Sequence, residues 1–310
     1  MKDAAKAFAA FAAVGFGGAL AWLRHDQREK QRHVQARCEY IETCRQAVIA
    51  GGLEVLGPEN EAEAVRVMVA SFKGTATTSP ERCASGILGP RFAEWDNQNR
   101  EAWFKWIILC DWLNCTCPGG GIPIGVRSKS GALSAVCLAY PHVDAEGSHS
   151  KPCEAEPNPW ADPIAKAAMQ KVLAADFGTD KEGLEAEKLE RHVRSRALGS
   201  ILSKLHPAYA SGPHWYVQVM AVDPTQQGQG HSKTLFAAVH ALADKIGVSC
   251  FLESAGARNK IVYEKAGYQA GGGQGWELNA PGVVDPPRDE LDNNNITRVY
   301  GMVRPARSAL

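Results

Sequence analysis

The 310-residue sequence lacks an excess of either charge: 34 Lys and Arg balance 34 Asp and Glu. That balance excludes recruitment to nucleic acid or to an anionic membrane through a global basic field. A disulfide framework is also missing. The nine cysteines, Cys38, Cys44, Cys83, Cys110, Cys115, Cys117, Cys137, Cys153 and Cys250, are odd in number and scattered. Reduced, mostly buried thiols in an intracellular protein fit that pattern. Cys115-Thr116-Cys117 is too tight for a zinc pair and no second Cys/His pair follows, so no metal is expected. There is no internal repeat and no Ser-His-Asp or Cys-His order that the chemistry below requires.

A hydrophobic run of full membrane-spanning length is absent as well. Phe8 to Leu23 is uncharged and rich in Ala and Gly, but it has 16 residues where a spanning helix needs about 20. Lys2 and Lys6 precede it, and Arg24, Arg28, Lys30 and Arg32 follow. Three readings stay open for residues 1–37. They are a membrane anchor in contact with lipid through residues 8–23, a targeting peptide cut after Ala19-Leu20-Ala21, and a buried or floppy helix with a solvated basic flank.

What is present begins near Gly51. Leu53 to Leu56 reads as a strand, and Asn60 with Glu63 as a capping box opening a helix that runs to Phe72. Phe92 to Leu113 carries Trp95, Trp103, Trp106 and Trp112, an aromatic stripe of the kind that fills cores. Ile122 to Arg127 and Ala132 to Tyr140 flank Lys129-Ser130-Gly131 as a hairpin. From 142 to 213 the pattern breaks into a polar loop and two helices, Asp162 to Phe177 and the charged Lys181 to Leu205. After Tyr268 come Gly271-Gly272-Gly273 and Asp285 to Glu290 as loops, then a last strand, Thr297 to Val303.

The most informative stretch lies between. An apolar strand, His214 to Val222, runs through Asp223-Pro224-Thr225-Gln226-Gln227-Gly228-Gln229-Gly230-His231-Ser232 onto a helix, Lys233 to Lys245. Backbone N–H groups in such a loop point into one concavity, and the helix start adds its positive dipole end. A pyrophosphate cradle of main chain results, with Gly228 and Gly230 keeping side chains out of the way. A Walker loop needs Lys and Ser or Thr directly after its last glycine, and Lys233-Thr234 comes two residues late. A dinucleotide fingerprint needs a glycine where Lys233 stands.

The loop resembles the coenzyme A loop of the GNAT superfamily of N-acyltransferases, Gln/Arg-x-x-Gly-x-Gly/Ala. Here it reads Gln227-Gly228-Gln229-Gly230-His231-Ser232, with Ser in the last place. A second signature, Tyr-Glu-x-x-Gly-Phe/Tyr, is matched by Tyr263-Glu264-Lys265-Ala266-Gly267-Tyr268 at the family's separation. Within the superfamily the core motifs are most similar to the puromycin N-acetyltransferase-like subgroup. The shared features are Val-x-Pro-x-x-Gln-Gly-x-Gly, Leu252-Glu253-Ser254, and Asn259 four residues before Tyr263. Many other members carry an Asn where Gly256 stands. The likeness covers 55 residues, from His214 to Tyr268.

This resemblance implies an α/β GNAT fold, with a mixed, mostly antiparallel sheet flanked by helices. The domain would span 51–305, with a helical insertion at about 142–213 that either walls the acceptor site or forms a surface pair without substrate contact. It implies acetyl-CoA as donor, no metal, no nucleic acid, and a primary amine of a small molecule as acceptor, attacking directly in a ternary complex. Such a donor places the catalytic domain in the cytoplasm. Gln227, Gly228, Gln229, Gly230, His231 and Ser232 would hold the phosphates, with Lys233 in reach. The backbone of Met220, Ala221 and Val222 would hold the pantetheine along a bulged strand, and an N–H near Val222 would polarise the carbonyl. Tyr263 is the expected acid, since a phenol keeps its proton at neutral pH. Glu253 is the expected base, with His214 and Tyr216 as alternatives. Asn259 either bonds the pantetheine or caps its helix. Cys250 reads as packing. The rival readings are a non-catalytic coenzyme A-binding or sensing module, tethered or not, and an interaction protein working through the charged helix.

Overall fold

In a computed structural model, the described residues are 31–73, 97–152, 196, 198–270, 276–278 and 297–307. The elements run in order: α1 (31–50), β1 (Glu54–Val55), α2 (Glu61–Phe72), α3 (Asn97–Thr116), β2 (Ile122–Arg127), β3 (Leu133–His142) and α4 (198–209). After these come β4 (His214–Val222), α5 (His231–Lys245), β5 (Ser249–Ala255), α6 (Ala257–Lys265), β6 (Gln269–Ala270), β7 (Trp276–Leu278) and β8 (Thr297–Arg304). They form the expected α/β arrangement. The sheet order is β1-β2-β3-β4-β5-β8-β6, with β7 also on β8. Every pair is antiparallel except β4 with β5.

Nine of the ten residues of β3 are buried, which requires cover on both faces. Val136, Leu138 and Tyr140 pack with Met68 of α2 and Phe104 and Trp112 of α3. Ala135, Cys137 and Ala139 face the other way, against Ile41 and Val48 of α1 and Leu235, Phe236 and Val239 of α5. Trp103 and Trp112 are core residues, as the aromatic stripe predicts; Trp95 lies outside the described residues. Cys115, Cys137 and Cys250 are buried free thiols, and Cys83 and Cys153 fall outside the described residues.

The feature that positions the site is an irregularity in β4. Leu138 pairs with Val219 but its neighbour Ala139 pairs with Val217, so Gln218 is an extra residue with no partner on β3. Two residues apart, Val217 and Val219 would share a face of a regular strand. Here Val217 packs on the α5 side and Val219 on the α2–α3 side, because the bulge flips the alternation. β5 follows β4 only through His214↔Ser249, Trp215↔Cys250 and Tyr216↔Phe251. Beyond Tyr216 the two strands part.

Several expectations need correction. Asn60 stands at the N-cap of α2, yet it makes no side-chain cap. Its Oδ1 accepts from the N–H of Gly57 (2.8 Å), while Glu63 reaches the N–H of Leu133 (2.7 Å) and Arg127 (2.9 Å). Glu63 thus has better partners in the hairpin than in its own helix start. The third strand reaches His142, the fifth Ala255 and the last Arg304, each beyond its predicted end. The hairpin turn holds as read, with Gly131 at φ 87°. Of the insertion, 142–152, 196 and 198–213 are described. The Asp162–Phe177 helix and the N-terminal run at 8–23 lie outside the described residues. Among the described residues no helix is long and apolar enough to cross a membrane.

Candidate acyl-donor cleft and its surroundings

The glycine loop starts from a rigid base. Asp223 accepts from the N–H and hydroxyl of Thr225 (3.0 and 2.7 Å) and from Arg66 of α2 (2.9 Å), whose guanidinium also meets the carbonyl of Leu133 (3.2 Å). A 3₁₀ turn over Pro224–Gln226 follows, and the chain then bends through Gly228 (φ 79°) and Gly230 (φ 83°). Both glycines are needed first for conformation, since L side chains resist positive φ. A Cβ at either would meet nothing within 4 Å, so the space above the loop is open. Gly230 is the N-cap of α5 in left-handed conformation, and the first helical bond runs from Thr234 N–H to Gly230 O (3.1 Å). The N–H groups of His231, Ser232 and Lys233 precede that bond, at the positive end of a 15-residue helix. Gln227, Gly228, Gln229 and Gly230 are exposed. His231 is not: its Nε2 is shielded from solvent and has no partner among the described residues.

Next to this loop, β4 offers main chain. Asp223 N–H bonds back to Ser134 on the β3 side (2.8 Å), so the groups of Val222 and Met220 face away from β3. On that side β5 has already departed. Among the described residues Val222 N–H reaches Ser71 Oγ, at 3.4 Å, and no other acceptor. Ala221 is buried, with its N–H on the β3 side.

Glu253 and Tyr263 stand on opposite faces of the sheet. Glu253 is 10% exposed and lies with Tyr216, which hydrogen-bonds its carboxylate, and with His206, whose Nδ1 is 3.9 Å from Oε1. Burial pushes its carboxyl up to about 7. Tyr263 packs on the other face, edge-on to Phe236 of α5 (5.8 Å between centroids) and to Tyr268 (6.4 Å). A gap between two strands opens to both faces, so groups on either side can address one ligand in it. Asn259 does not cap α6, because Gly256 is the N-cap; its Nδ2 donates to the carbonyl of Ala255 (3.2 Å) at the end of β5. Gly256, at φ 79° and ψ 158°, holds a conformation open essentially to glycine alone.

A cavity of about 540 Å³ touches Lys233 and Thr234 and runs along α5 past Ala237 and Ala241 to Val48 and Leu53. It includes neither Glu253 nor Tyr263.

The described helix of the insertion, α4, is a neighbour of Glu253. Leu205 and Tyr209 of α4 pack with Val299 of β8, and a Cβ on Gly301 would overlap the Tyr209 ring. His206 then lies 4.7 Å, ring to ring, from Phe251. It also meets His142 and His214, two residues brought opposite one another by the β3–β4 register. Burial and the adjacent imidazoles hold His142 down at about 2 and His206 at about 4, and burial lowers His214 as well. Of this group only His214 is a sequence-level candidate. His142 and His206 were missed because positions 142, 206 and 214 match no ligand spacing until the register is known.

No protein-family model and no curated protein matches the chain. Among solved structures it is similar to a histone acetyltransferase HPA2 and related acetyltransferase from Corynebacterium glutamicum. That pair shares 17% identity and a TM-score of 0.41, over 83% of this chain and 98% of that one. Arylalkylamine N-acetyltransferase 2 from Aedes aegypti gives 14% and 0.40, over 82% and 98%. The polyamine N-acetyltransferase of Drosophila melanogaster gives 11% and 0.39, over 82% and 98%. At such identities and TM-scores, function has to be read from this chain's own residues.

Proposed function

We propose that this chain is a GNAT-type N-acetyltransferase that moves an acetyl group from acetyl-CoA to a primary amine, within one ternary complex. The parting of β4 from β5 beyond Tyr216, beside a left-handed glycine loop that opens onto α5, carries this reading. An extended thioester arm fits a strand edge whose groups lack a strand partner among the described residues, and a pyrophosphate fits the N–H groups ahead of α5. Gln227 to Ser232 hold the phosphates. Met220 and Val222 hold the pantetheine, and one of their N–H groups polarises the carbonyl in place of the long Ser71 contact. Asn259 steadies the end of β5 through Ala255.

In the reaction the amine nitrogen attacks the thioester carbon and the C–S bond breaks. Glu253, raised by burial into the neutral range, takes the amine proton. Tyr263 donates its phenolic proton to the departing thiolate from the opposite face. No acyl-enzyme forms, and Cys250, buried among apolar side chains, remains packing. A small-molecule amine is the acceptor class, reached from the Glu253–Tyr216 side.

The test is release of free thiol from acetyl-CoA by the full chain against a panel of primary amines. Amine-dependent release that disappears in Gly230→Asp supports the transferase. Coenzyme A binding with no release from any amine replaces it with a sensing module.

A further inference from the structure

Outside the donor cleft, His142, His206 and His214 form a cluster that the acetyl transfer does not use. Their ligating nitrogens all lie within 4.8 Å of one another. The ring centroids make a nearly equilateral triangle: 4.8 Å from His142 to His206, 4.6 Å from His142 to His214, and 4.9 Å from His206 to His214. Three imidazoles bound tetrahedrally to one ion, each through nitrogen at about 2.0–2.1 Å, have centroids about 5.2 Å apart. The triangle is therefore within about half an ångström of the spacing that one zinc-sized ion imposes.

The hydrogen bonding points the same way. His214 Nδ1 lies 2.7 Å from the carbonyl of Gly212, which makes Nδ1–H the donor and leaves a lone pair on Nε2. That Nε2 faces His206 Nε2 at 2.8 Å. Two ring nitrogens meeting head to head share one proton or, with that proton gone, one cation. The other nitrogen of His206 lies 3.9 Å from the Glu253 carboxylate, beyond direct hydrogen-bond distance. A ligand histidine whose second nitrogen is held by a carbonyl, as His214 is, is a usual arrangement around a protein-bound metal. His142, half-buried and directly opposite His214 in the β3–β4 register, lies 4.6 Å from it ring to ring.

We infer that His142, His206 and His214 constitute a three-imidazole binding site for a divalent transition-metal ion of the zinc class. Three neutral nitrogen ligands suit zinc, cobalt, nickel or copper and disfavour magnesium and calcium, which need oxygen. To seat the ion, the His206–His214 nitrogens separate by about half an ångström, toward about 3.3 Å, and the His142 nitrogen, up to 4.8 Å from the others, draws in toward the same spacing. Arg37 adds positive charge on the His142 side, through its bond to the Pro141 carbonyl; Glu253 supplies the opposite charge on the His206 side. The exposed ring of His149 stands 6.2 Å from both His142 and His214, on the open side of the cluster. The site joins three segments: the end of β3, the insertion helix and the start of β4.

The inference does not depend on acetyl transfer and is tested without acetyl-CoA. The full chain, stripped with chelator and kept reduced, is titrated with zinc alone against a chromogenic competitor, and with cobalt(II) for its visible spectrum. One equivalent bound tightly, with a cobalt spectrum free of thiolate charge-transfer absorption, is the expected result. His142→Gln and His206→Gln, each at a half-buried position, should weaken zinc at least 100-fold; His33→Gln should leave it unchanged. Magnesium should not compete. Failure of the wild-type chain to hold one equivalent overturns the inference, however the variants fold. So does a thiolate band, which would hand the ion to the cysteines, and so does unaltered affinity in both histidine variants.

Discussion

Gly230 allows the phosphate cradle to be tested with two substitutions that differ only in charge. The residue sits at φ 83° and ψ 8°, exposed, with room for a Cβ. Asn and Asp are the L residues that best tolerate this left-handed region, so Gly230→Asn and Gly230→Asp share a backbone penalty of about 1 kcal/mol. Both should melt a few degrees below the wild type, by about 2–4 °C, and within a degree of each other. Their affinities for coenzyme A should differ. A carboxylate about 4 Å from a phosphate charge is opposed by about 1 kcal/mol in bulk water and about 4 kcal/mol at an effective dielectric of 20. The loop is exposed, which favours the lower end, and a pyrophosphate carries more than one charge. About 1.4–2 kcal/mol is expected, a tenfold to thirtyfold gap in Kd between the two variants. Calorimetric titration with coenzyme A measures it. The gap should shrink at 1 M salt, where the Debye length is about 3 Å. Two folded variants that bind coenzyme A equally well at low salt would refute a phosphate at this helix start.

Three further outcomes follow from the geometry. Tyr263→Phe should lower turnover about 100-fold or more while coenzyme A affinity, read by the same titration, changes less than twofold. Glu253→Gln should lower turnover by about 10²–10⁴-fold in the thiol-release assay without lowering Tm at pH 8, because the amide keeps the shape and removes a buried charge. Asp244 receives both Arg304 amino groups (2.8 and 2.7 Å) and the N–H of Arg307 (3.0 Å), which hold its carboxyl below the usual range. A depressed folded value stabilises above the unfolded one and fades as pH falls through it. Asp244→Asn should therefore cost about 2 kcal/mol in a denaturant melt at pH 7, and that difference should start to narrow as pH falls below about 4 and close only below the depressed folded value. A difference that does not narrow at all as the pH is lowered from about 5 toward about 2 would mean that packing, not charge, is lost.

The glycine-loop half of the candidate site was legible because its signals are local. Asp223, Pro224, Gly228 and Gly230 occupy one short segment, and each fixes its own backbone: an Asx bond to Thr225, a 3₁₀ start and two left-handed turns. Alternation and turn residues likewise marked β2, β3, β4 and β5 to within a few residues. The bulge at Gln218 was expected only by resemblance. Nothing in His214–Val222 announces it, since Val217 and Val219 look like one face of a regular strand until their packing separates them. The capping reading of Asn60 and Glu63 failed for a similar reason. Residue types at helix starts suit several partners, and here Arg127 and the Leu133 N–H, about 70 residues away, won.

The surroundings of Glu253 are a different kind of object. Glu253 is within the resembling stretch, but its surroundings are not: Tyr216 comes from β4, and His206 comes from an insertion helix held down by Tyr209 over Gly301. Gly301 allows that contact because any Cβ there would displace the ring, so the last strand decides how closely the insertion approaches the base. His142 enters through β3–β4 pairing, 72 residues from its partner His214 in sequence and directly opposite it in space. A cradle built on one loop can be read from one loop. A cluster assembled from three segments, each placed by long-range packing, has no local signature. Whatever seats α4 on β8 sets both the His206–Glu253 distance and the closure of the histidine triangle.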